Sequence, residues 1–227
     1  YQSDPSHGEH VGNLCARFFD SLTDLHQLTP HDALLLQVAA ILHEVGTYVS
    51  PRAHHKHSEY IILNSEIFGL DRLDVTIVAL VSRYHRHSVP RPDHPSYREL
   101  STDDRIRVSK LAALLRVADA LERTHDQRVH EIGMRRDGTK LHLTLPGLED
   151  AAVERLAMES KGDLFEQVFG LAVVIDEDHR IDRLARILGL GDKRLAQGVL
   201  ERPHRMIRSI NPIAISRKFC PRRRITA

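Results

Sequence analysis

A histidine and an acidic residue stand side by side at the end of the stretch AAILHEVG, which runs from Ala39 to Gly46. The residues before them are apolar on nearly all faces, which predicts a buried helix that ends at the glycine. An imidazole next to a carboxylate at the end of a buried helix is typical of a metal site, where a divalent ion activates water. We therefore interpret His43 and Glu44 as candidate metal ligands and candidate catalytic residues, with a purely structural role for His43 as the alternative.

Further residues that could bind a metal occur at comparable places, in a chain with 16 histidines among 227 residues. They lie at predicted helix ends or on core-facing stripes, namely His7, His57, His85 and Asp119. A lone carboxylate in the apolar segment LLRVADAL is costly unless it is paired or coordinates a cation. Two alternatives stay open: His10 could face inward instead of His7, and Asp119 could pair with Arg116 or Arg123. The histidines in loops or at helix edges are expected to be solvated, namely His54, His55, His87 and His94.

The elements that would position these residues are mostly helices. Apolar residues recur at helical spacing in the first segment, with Ser6 as a plausible N-cap. We predict helices over residues 6–22, 31–46, 56–69, 72–86 and 103–125. Three prolines in the segment over residues 88–100 predict a loop there.

After Asp126 the period of the apolar residues changes. Alternation on either side of Asp137-Gly138 predicts a β-hairpin, LEDAAVERLAMES and KGDLFEQVFG are typical of helices, and LAVVID is typical of a strand. We therefore expect a mainly α fold. It divides into a helical domain (1–126), a small β-β-α-β appendix (127–176), and a C-terminal helix with a basic tail (177–227).

Composition argues against several classes of protein. No apolar run approaches the roughly 20 residues of a membrane helix, and we see no signal-peptide pattern. The two cysteines lie far apart, which favours a reducing compartment, so we expect a cytoplasmic protein with no membrane partner. Tryptophan is absent and aromatic residues make up only 5%, which argues against base stacking and sequence-specific nucleic-acid binding.

The last part of the chain is strongly basic. Residues 202–227 contain eight arginines and lysines and no acidic residue. A solvated tail, a contact with a polyanion and a docking segment for a partner all stay open as interpretations.

The ordered series of histidines and acids resembles the HD superfamily of metal-dependent phosphohydrolases. Longer segments narrow the resemblance to the C-terminal helical domain of the exopolyphosphatase / guanosine pentaphosphate phosphohydrolase (Ppx/GppA) family. These segments are HHKHSEYIILNSEIFGL, RYHRHSVP, KLAALLRVADALERTHDQRV and DLFEQVFG. The resemblance extends to about residue 176 and implies an HD-type helical body.

The resemblance also implies a set of metal ligands. Six residues match ligand positions of the superfamily: His7, His43, Glu44 and Asp119 for one ion, and His57 and His85 for a second. Glu44 stands where the superfamily has aspartate, and its extra methylene moves the carboxylate by about 1.5 Å. Imidazole and carboxylate ligands suggest a divalent Mn, Fe, Mg or Zn ion as cofactor.

For function, the resemblance implies hydrolysis of phosphoanhydrides or phosphoesters, with polyphosphate or a guanosine polyphosphate as the substrate. Candidate phosphate-binding residues are the basic side chains near the ligands: Lys56, Arg83, Arg86, Arg116 and Arg123. In the family, phosphate cleavage takes place in two actin-like N-terminal domains with glycine-rich loops, and this sequence contains no such motif. The alternative is therefore a non-catalytic module that binds polyphosphate and forms a homodimer around a degenerate HD site.

Overall fold

The computed structural model describes residues 4–86, 88–148 and 150–176. Its elements are α1 (Pro5–Ser21), α2 (Thr23–His26), α3 (Pro30–Leu42), a 3-10 turn (Val45–Tyr48), α4 (His54–Leu63), α5 (Arg72–Arg83), α6 (Pro95–Arg98), α7 (Thr102–Leu121), β1 (Gly133–Asp137), β2 (Lys140–Thr144), α8 (Ala152–Lys161), α9 (Asp163–Phe169) and β3 (Ala172–Ile175). The predicted mainly α fold with a small β appendix is confirmed. The C-terminal helix and basic tail of the prediction lie outside the described residues. Within those ranges, no helix combines the length and the apolar character that crossing a membrane requires.

Side-chain caps determine where the main helices begin. Asp4, not the predicted Ser6, caps α1, because its carboxylate accepts hydrogen bonds from the first free amides of the helix. A reciprocal capping box of Thr29 and Asp32 begins α3. Ser101 caps α7 in the same way as Asp4 caps α1. These caps satisfy free amides in the first turn of each helix.

Helix α7 is the centre of the helical body. Every residue from Leu111 to Leu121 is buried, because α1, α3, α5, α8 and α9 all pack against this helix. A helix surrounded in this way is expected to be apolar on all sides. Arg116 and Asp119 are the exceptions, and both lie in the core because they belong to the buried part of α7.

The appendix contains the predicted hairpin. β1 and β2 pair antiparallel, with Asp137 opposite Lys140, and Gly138 turns the chain with a φ of +56°. β3 pairs parallel to β2, so the connection between them must cross over. That connection contains both α8 and α9, so the order of elements is β-β-α-α-β.

Several predicted boundaries differ from the structure by a few residues. Helix α3 ends at Leu42 instead of Gly46, and a separate 3-10 turn follows it. Helix α4 begins at His54, two residues before the predicted start, and ends at Leu63. The proline-rich loop contains the short helix α6.

Candidate metal centre

Three buried side chains from different helices meet in the core of the helical body. His7 lies in the first turn of α1, His43 directly follows α3, and Asp119 lies near the end of α7. Oδ1 of Asp119 lies 4.0 Å from Nε2 of His7 and 3.8 Å from Nε2 of His43. Both distances are too long for hydrogen bonds. One ligand atom from each residue nevertheless lies within 4.8 Å of the others, so the structure brings three predicted ligands together.

The ring of His43 is oriented by its own helix. Its Nδ1 lies 2.6 Å from the carbonyl oxygen of Ala40, and since a carbonyl only accepts, Nδ1 is the donor. In the neutral ring, Nε2 then carries the free lone pair. This atom is buried and has no hydrogen-bond partner among the described residues. Histidine ligands of metals are held in the same way, with one nitrogen donating to a carbonyl and the other free to bind.

His7 is held by packing instead of hydrogen bonds. Both of its ring nitrogens are buried and lack a partner in the part of the chain that the structure describes. The ring stacks on His125, with centroids 3.7 Å apart and planes within 7°. Burial, followed by the charges of His43 and His125, lowers the pKa of His7 to about 4. The imidazole is therefore neutral near pH 7, which is the form that binds a metal.

The Asp119 carboxylate uses its two oxygens differently. Oδ1 faces His7 and His43, whereas Oδ2 accepts a hydrogen bond from the ammonium of Lys161. Burial alone would raise the pKa of Asp119, but Lys161 and then His43 hold that pKa well below its ordinary value. The carboxylate is therefore ionised and available to a cation.

Lys161 is a charged neighbour of the cluster that the sequence analysis did not predict. The structural alternative for Asp119 was a pair with Arg116 or Arg123, but the ion pair is formed with Lys161, the last residue of α8. The signal in the sequence was weak, because Lys161 is separated from Asp119 by 42 positions and ends an otherwise ordinary amphipathic helix.

A second pair of histidines lies beside the first cluster. The ring of His85 lies 4.8 Å from that of His43, and its Nε2 lies 3.1 Å from Nε2 of His54. Burial, followed by His43, holds the pKa of His85 well below its ordinary value. His54 is thus half-buried in the cluster instead of solvated as expected. Among the described residues, no hydrogen bond, ion pair or ring contact joins the predicted ligand His57 to this pair.

Glu44 belongs to a different group from Asp119. It is half-buried, and one of its oxygens lies within 4.8 Å of ligand atoms on both His7 and His125. His7 is therefore shared between a group that contains Asp119 and a group that contains Glu44. His125 was not among the predicted site residues.

The chain after His43 is fixed to the start of α4. The Ser58 hydroxyl donates to the His43 carbonyl oxygen at 2.7 Å and accepts from the Gly46 amide at 2.9 Å. A Cβ at Gly46 would lie 2.2 Å from the carbonyl oxygen of His54, so only glycine permits this close approach. The contact ties the turn after His43 to the start of α4, the helix that contains His54.

The predicted phosphate-binding residues fall into two groups. Arg83 pairs with Glu59, and the fully buried Arg116 pairs with Asp163 at 2.7 Å. The other three predicted residues have no ion pair within the described ranges: the exposed Lys56 and Arg123 and the half-buried Arg86.

A positive region adjoins the histidine cluster at the start of α4. Burial, followed by His54, Arg86, Arg83 and Lys56, lowers the pKa of His55 to about 4. The positive charges of Arg86, Arg83 and Lys56 therefore all disfavour the protonated form of His55.

The donor set fits a divalent transition metal. Two imidazole nitrogens and one carboxylate oxygen are the ligands of two-histidine, one-carboxylate sites for Fe, and imidazole also suits Zn²⁺. An ion with bonds of about 2.1 Å spans donor atoms up to roughly 4.2 Å apart, and the two measured separations are 3.8 and 4.0 Å. A metal would also give a partner to the buried ring nitrogens of His7 and His43, which have no hydrogen-bond partner among the described residues.

Comparison with known proteins agrees with this architecture. Residues 1–161 match the family model described as Ppx/GppA phosphatase, domain III. The chain is similar to proteins named guanosine-5'-triphosphate,3'-diphosphate pyrophosphatase, with 26% identity over 147 residues to that of Vibrio vulnificus and 28% over 151 residues to that of Vibrio cholerae. These matches cover 64% and 65% of this chain but only 29% of each relative. The chain therefore spans less than a third of the length of the curated relatives that it matches.

Proposed function

The chain belongs to the Ppx/GppA phosphatase family, whose third domain it matches, and from this premise we propose that it is a metal-binding phosphohydrolase domain. Its centre would hold one divalent transition metal on His7, His43 and Asp119 and would act on a phosphate-rich small molecule or on polyphosphate. Mn²⁺, Fe²⁺ and Zn²⁺ suit the donor set better than Mg²⁺, which prefers oxygen ligands.

One observation carries the proposal. Three buried donor atoms from α1, α3 and α7 converge on a space in which none of them hydrogen-bonds to another. Orphaned imidazole nitrogens in a core cost free energy, and a metal removes that cost. The orienting hydrogen bond from His43 to Ala40 supports the same interpretation, because it prepares one nitrogen for binding.

The residues around the centre would have separate roles. A bound divalent ion supplies an acidified water and takes up negative charge from phosphate oxygens. Glu44, half-buried beside His7, would accept a proton from the attacking water on its carboxylate. The stacking of His7 on His125 would keep the imidazole from turning away from Asp119.

Substrate phosphates would bind in the positive region at the start of α4, beside the histidine cluster. Lys56 and Arg86 are the best candidates for two reasons. Both are positive charges that lower the pKa of His55, and neither forms an ion pair with another described residue. Arg123 is exposed and is a weaker candidate. Arg83 and Arg116 would attract the substrate phosphates through their positive charge more than through direct hydrogen bonds, since each already pairs with an acidic residue. The names of the relatives suggest a guanosine polyphosphate as the first substrate to test.

A second function is supported by the same ion pairs. The Lys161 ammonium already compensates Asp119, and Glu59 already binds Arg83. Because these charges are already compensated, the contacts favour a module that keeps the geometry of the centre without its chemistry. Such a non-catalytic module would bind polyphosphate and form a homodimer.

Metal content and phosphate release together distinguish the two functions. We expect purified protein supplied with Mn²⁺ to retain about one equivalent of metal and to release phosphate from a guanosine polyphosphate or from short polyphosphate. His43→Ala should lose both properties, whereas His31→Ala, which changes a histidine that pairs with Asp74 outside the centre, should keep both. Retention of less than roughly a tenth of an equivalent would exclude the metal centre. Full metal content without phosphate release from any of these substrates would favour the non-catalytic module.

A further inference from the structure

Lys161 is the charged residue of the centre to which the phosphohydrolase proposal gives no role. It is the last residue of α8, it is only 7% exposed, and its ammonium donates to Oδ2 of Asp119. A buried ammonium is costly unless a carboxylate compensates it, and the same holds for a buried carboxylate. Each of the two groups therefore makes the burial of the other possible.

We propose that Lys161 is a built-in cation that compensates Asp119 in the metal-free centre and thereby lowers its affinity for a divalent ion. The inference rests on the proposed function, because it concerns how tightly the same centre holds its metal. It assigns Lys161 the role of a residue that sets metal affinity, not of a ligand.

The division of Asp119 between its two oxygens supports the inference. Oδ1 faces the two imidazoles and would bind the ion, while Oδ2 stays with the ammonium. Ion and ammonium would then share a single carboxylate, and two positive groups a few ångströms apart repel each other strongly in a buried site. Among the described residues grouped with the centre, Glu44 is the other acid, and it lies with His7 and His125.

A purely orienting role for Lys161 predicts the opposite effect. If the ammonium acts only as a hydrogen-bond donor that aims the carboxylate, its removal should weaken metal binding, as the loss of other orienting contacts does. The sign of the change in metal affinity therefore separates the two roles.

The test is a calorimetric titration of Mn²⁺ into metal-free wild type, Lys161→Gln, Lys161→Met and Lys110→Gln. Lys161→Gln removes the charge and keeps an N–H donor, whereas Lys161→Met removes both. Both should bind Mn²⁺ roughly tenfold more tightly than wild type or better. Lys110→Gln is the matched control, because Lys110 is a half-buried lysine of α7 that donates to the His26 carbonyl at 2.7 Å, and it should bind like wild type.

Thermal unfolding gives an independent reading. The metal-free Lys161→Met variant should unfold at a lower temperature than wild type, because Asp119 loses its compensating charge. Added Mn²⁺ should raise the midpoint of this variant more than that of wild type. A rise no larger than that of wild type would contradict the inference.

The outcomes for the two proposals can be told apart. Unchanged or weaker Mn²⁺ binding in the Lys161 variants overturns the inference, and so does a lack of binding in all four proteins. Binding by Lys161→Gln but not by wild type overturns the proposed function of the natural chain and supports the inference. If Lys161→Met does not fold, Lys161→Gln decides alone.

Discussion

Asp32 and Asp119 are both buried carboxylates of the helical body, yet their surroundings differ. Asp32 is 2% exposed, and both of its oxygens are used: Thr29 donates to Oδ2 from its amide and hydroxyl at 2.9 and 2.8 Å, and Arg107 donates to Oδ1 at 2.8 Å. Asp119 is 5% exposed, and within the described residues it uses only Oδ2 in a hydrogen bond, with Lys161. Its Oδ1 faces two imidazoles at 3.8 and 4.0 Å.

The difference separates a carboxylate that holds the fold from one that is available to a ligand. Asp32 closes a capping box and ties α3 to α7 through Arg107, so both of its carboxylate oxygens accept short hydrogen bonds. The groups around Asp119 are too far apart to satisfy one another and close enough to share an ion. A buried polar network in which every group is hydrogen-bonded stabilises the fold, whereas buried polar groups without partners call for a functional explanation.

The largest expected effect concerns metal binding. Asp119→Asn should lower the affinity for Mn²⁺ by roughly 100-fold or more, since even the loss of an orienting contact costs 10- to 100-fold. Asp32→Asn should leave the affinity unchanged. Calorimetric titration of both variants measures the two values, and equal losses would remove the distinction between the two carboxylates.

The next effect concerns the stability that Asp32 contributes. Asp32→Asn in metal-free protein should lower the free energy of unfolding by about 2–3 kcal/mol, because it removes the buried anionic partner of the half-buried Arg107. Urea denaturation measures this value. Asp20→Asn, at an exposed position of α1, serves as the control and should change stability by less than about 0.5 kcal/mol. A loss for Asp32→Asn as small as that of the control would show that its contacts contribute little.

Gly46 tests how firmly the backbone positions His43. Gly46→Ala should cost about 2 kcal/mol, because the new methyl group meets the backbone of α4 and the turn must move away. Gly12→Ala is the matched control: its Cβ would meet only Gln37 and Ala40 at 3.7 and 3.9 Å, and it should be neutral or stabilising. Denaturation of both variants measures the costs, and a neutral result for Gly46→Ala would mean that the turn can shift freely.

The smallest effect is a pH dependence at Asp32. Burial raises the pKa of Asp32, but its bonds from Thr29 and Arg107 outweigh burial and lower it below the ordinary 3.8. A carboxylate with a lowered folded pKa contributes its full stability above the unfolded pKa, and that contribution is lost as pH falls through the folded value. The stability difference between wild type and Asp32→Asn should therefore shrink below a pH of about 3.8. A difference that stays constant down to pH 2, measured by urea denaturation, would contradict the shift.

Much of the fold was accessible from the sequence because the signals are local. The apolar pattern of α7 and the Asp137-Gly138 turn each depend on neighbouring residues, and both predictions were confirmed. Helix boundaries were harder, since they depend on caps and on the packing of the next segment. The left-handed Ala53, with a φ of +58°, begins α4 at His54, a start that the apolar pattern did not reveal.

The site was accessible only in part, because its contacts are tertiary. The resemblance named His7, His43 and Asp119, which the structure brings together. His54 and His57 are three positions apart on one helix and point in directions about 60° apart, so a local pattern cannot decide which one meets His85. The pairing of Asp119 with Lys161 depends on how α8 packs against α7, which no spacing within the sequence encodes.

Anomalous diffraction from crystals of the protein grown with Mn²⁺ tests the metal centre most directly. We expect an anomalous peak about 2.0–2.3 Å from Nε2 of His7, Nε2 of His43 and Oδ1 of Asp119, with Lys161 still on the other oxygen. A well-ordered map without a peak among these three atoms, at Mn²⁺ concentrations that saturate ordinary metalloproteins, would contradict the metal centre and favour the non-catalytic module.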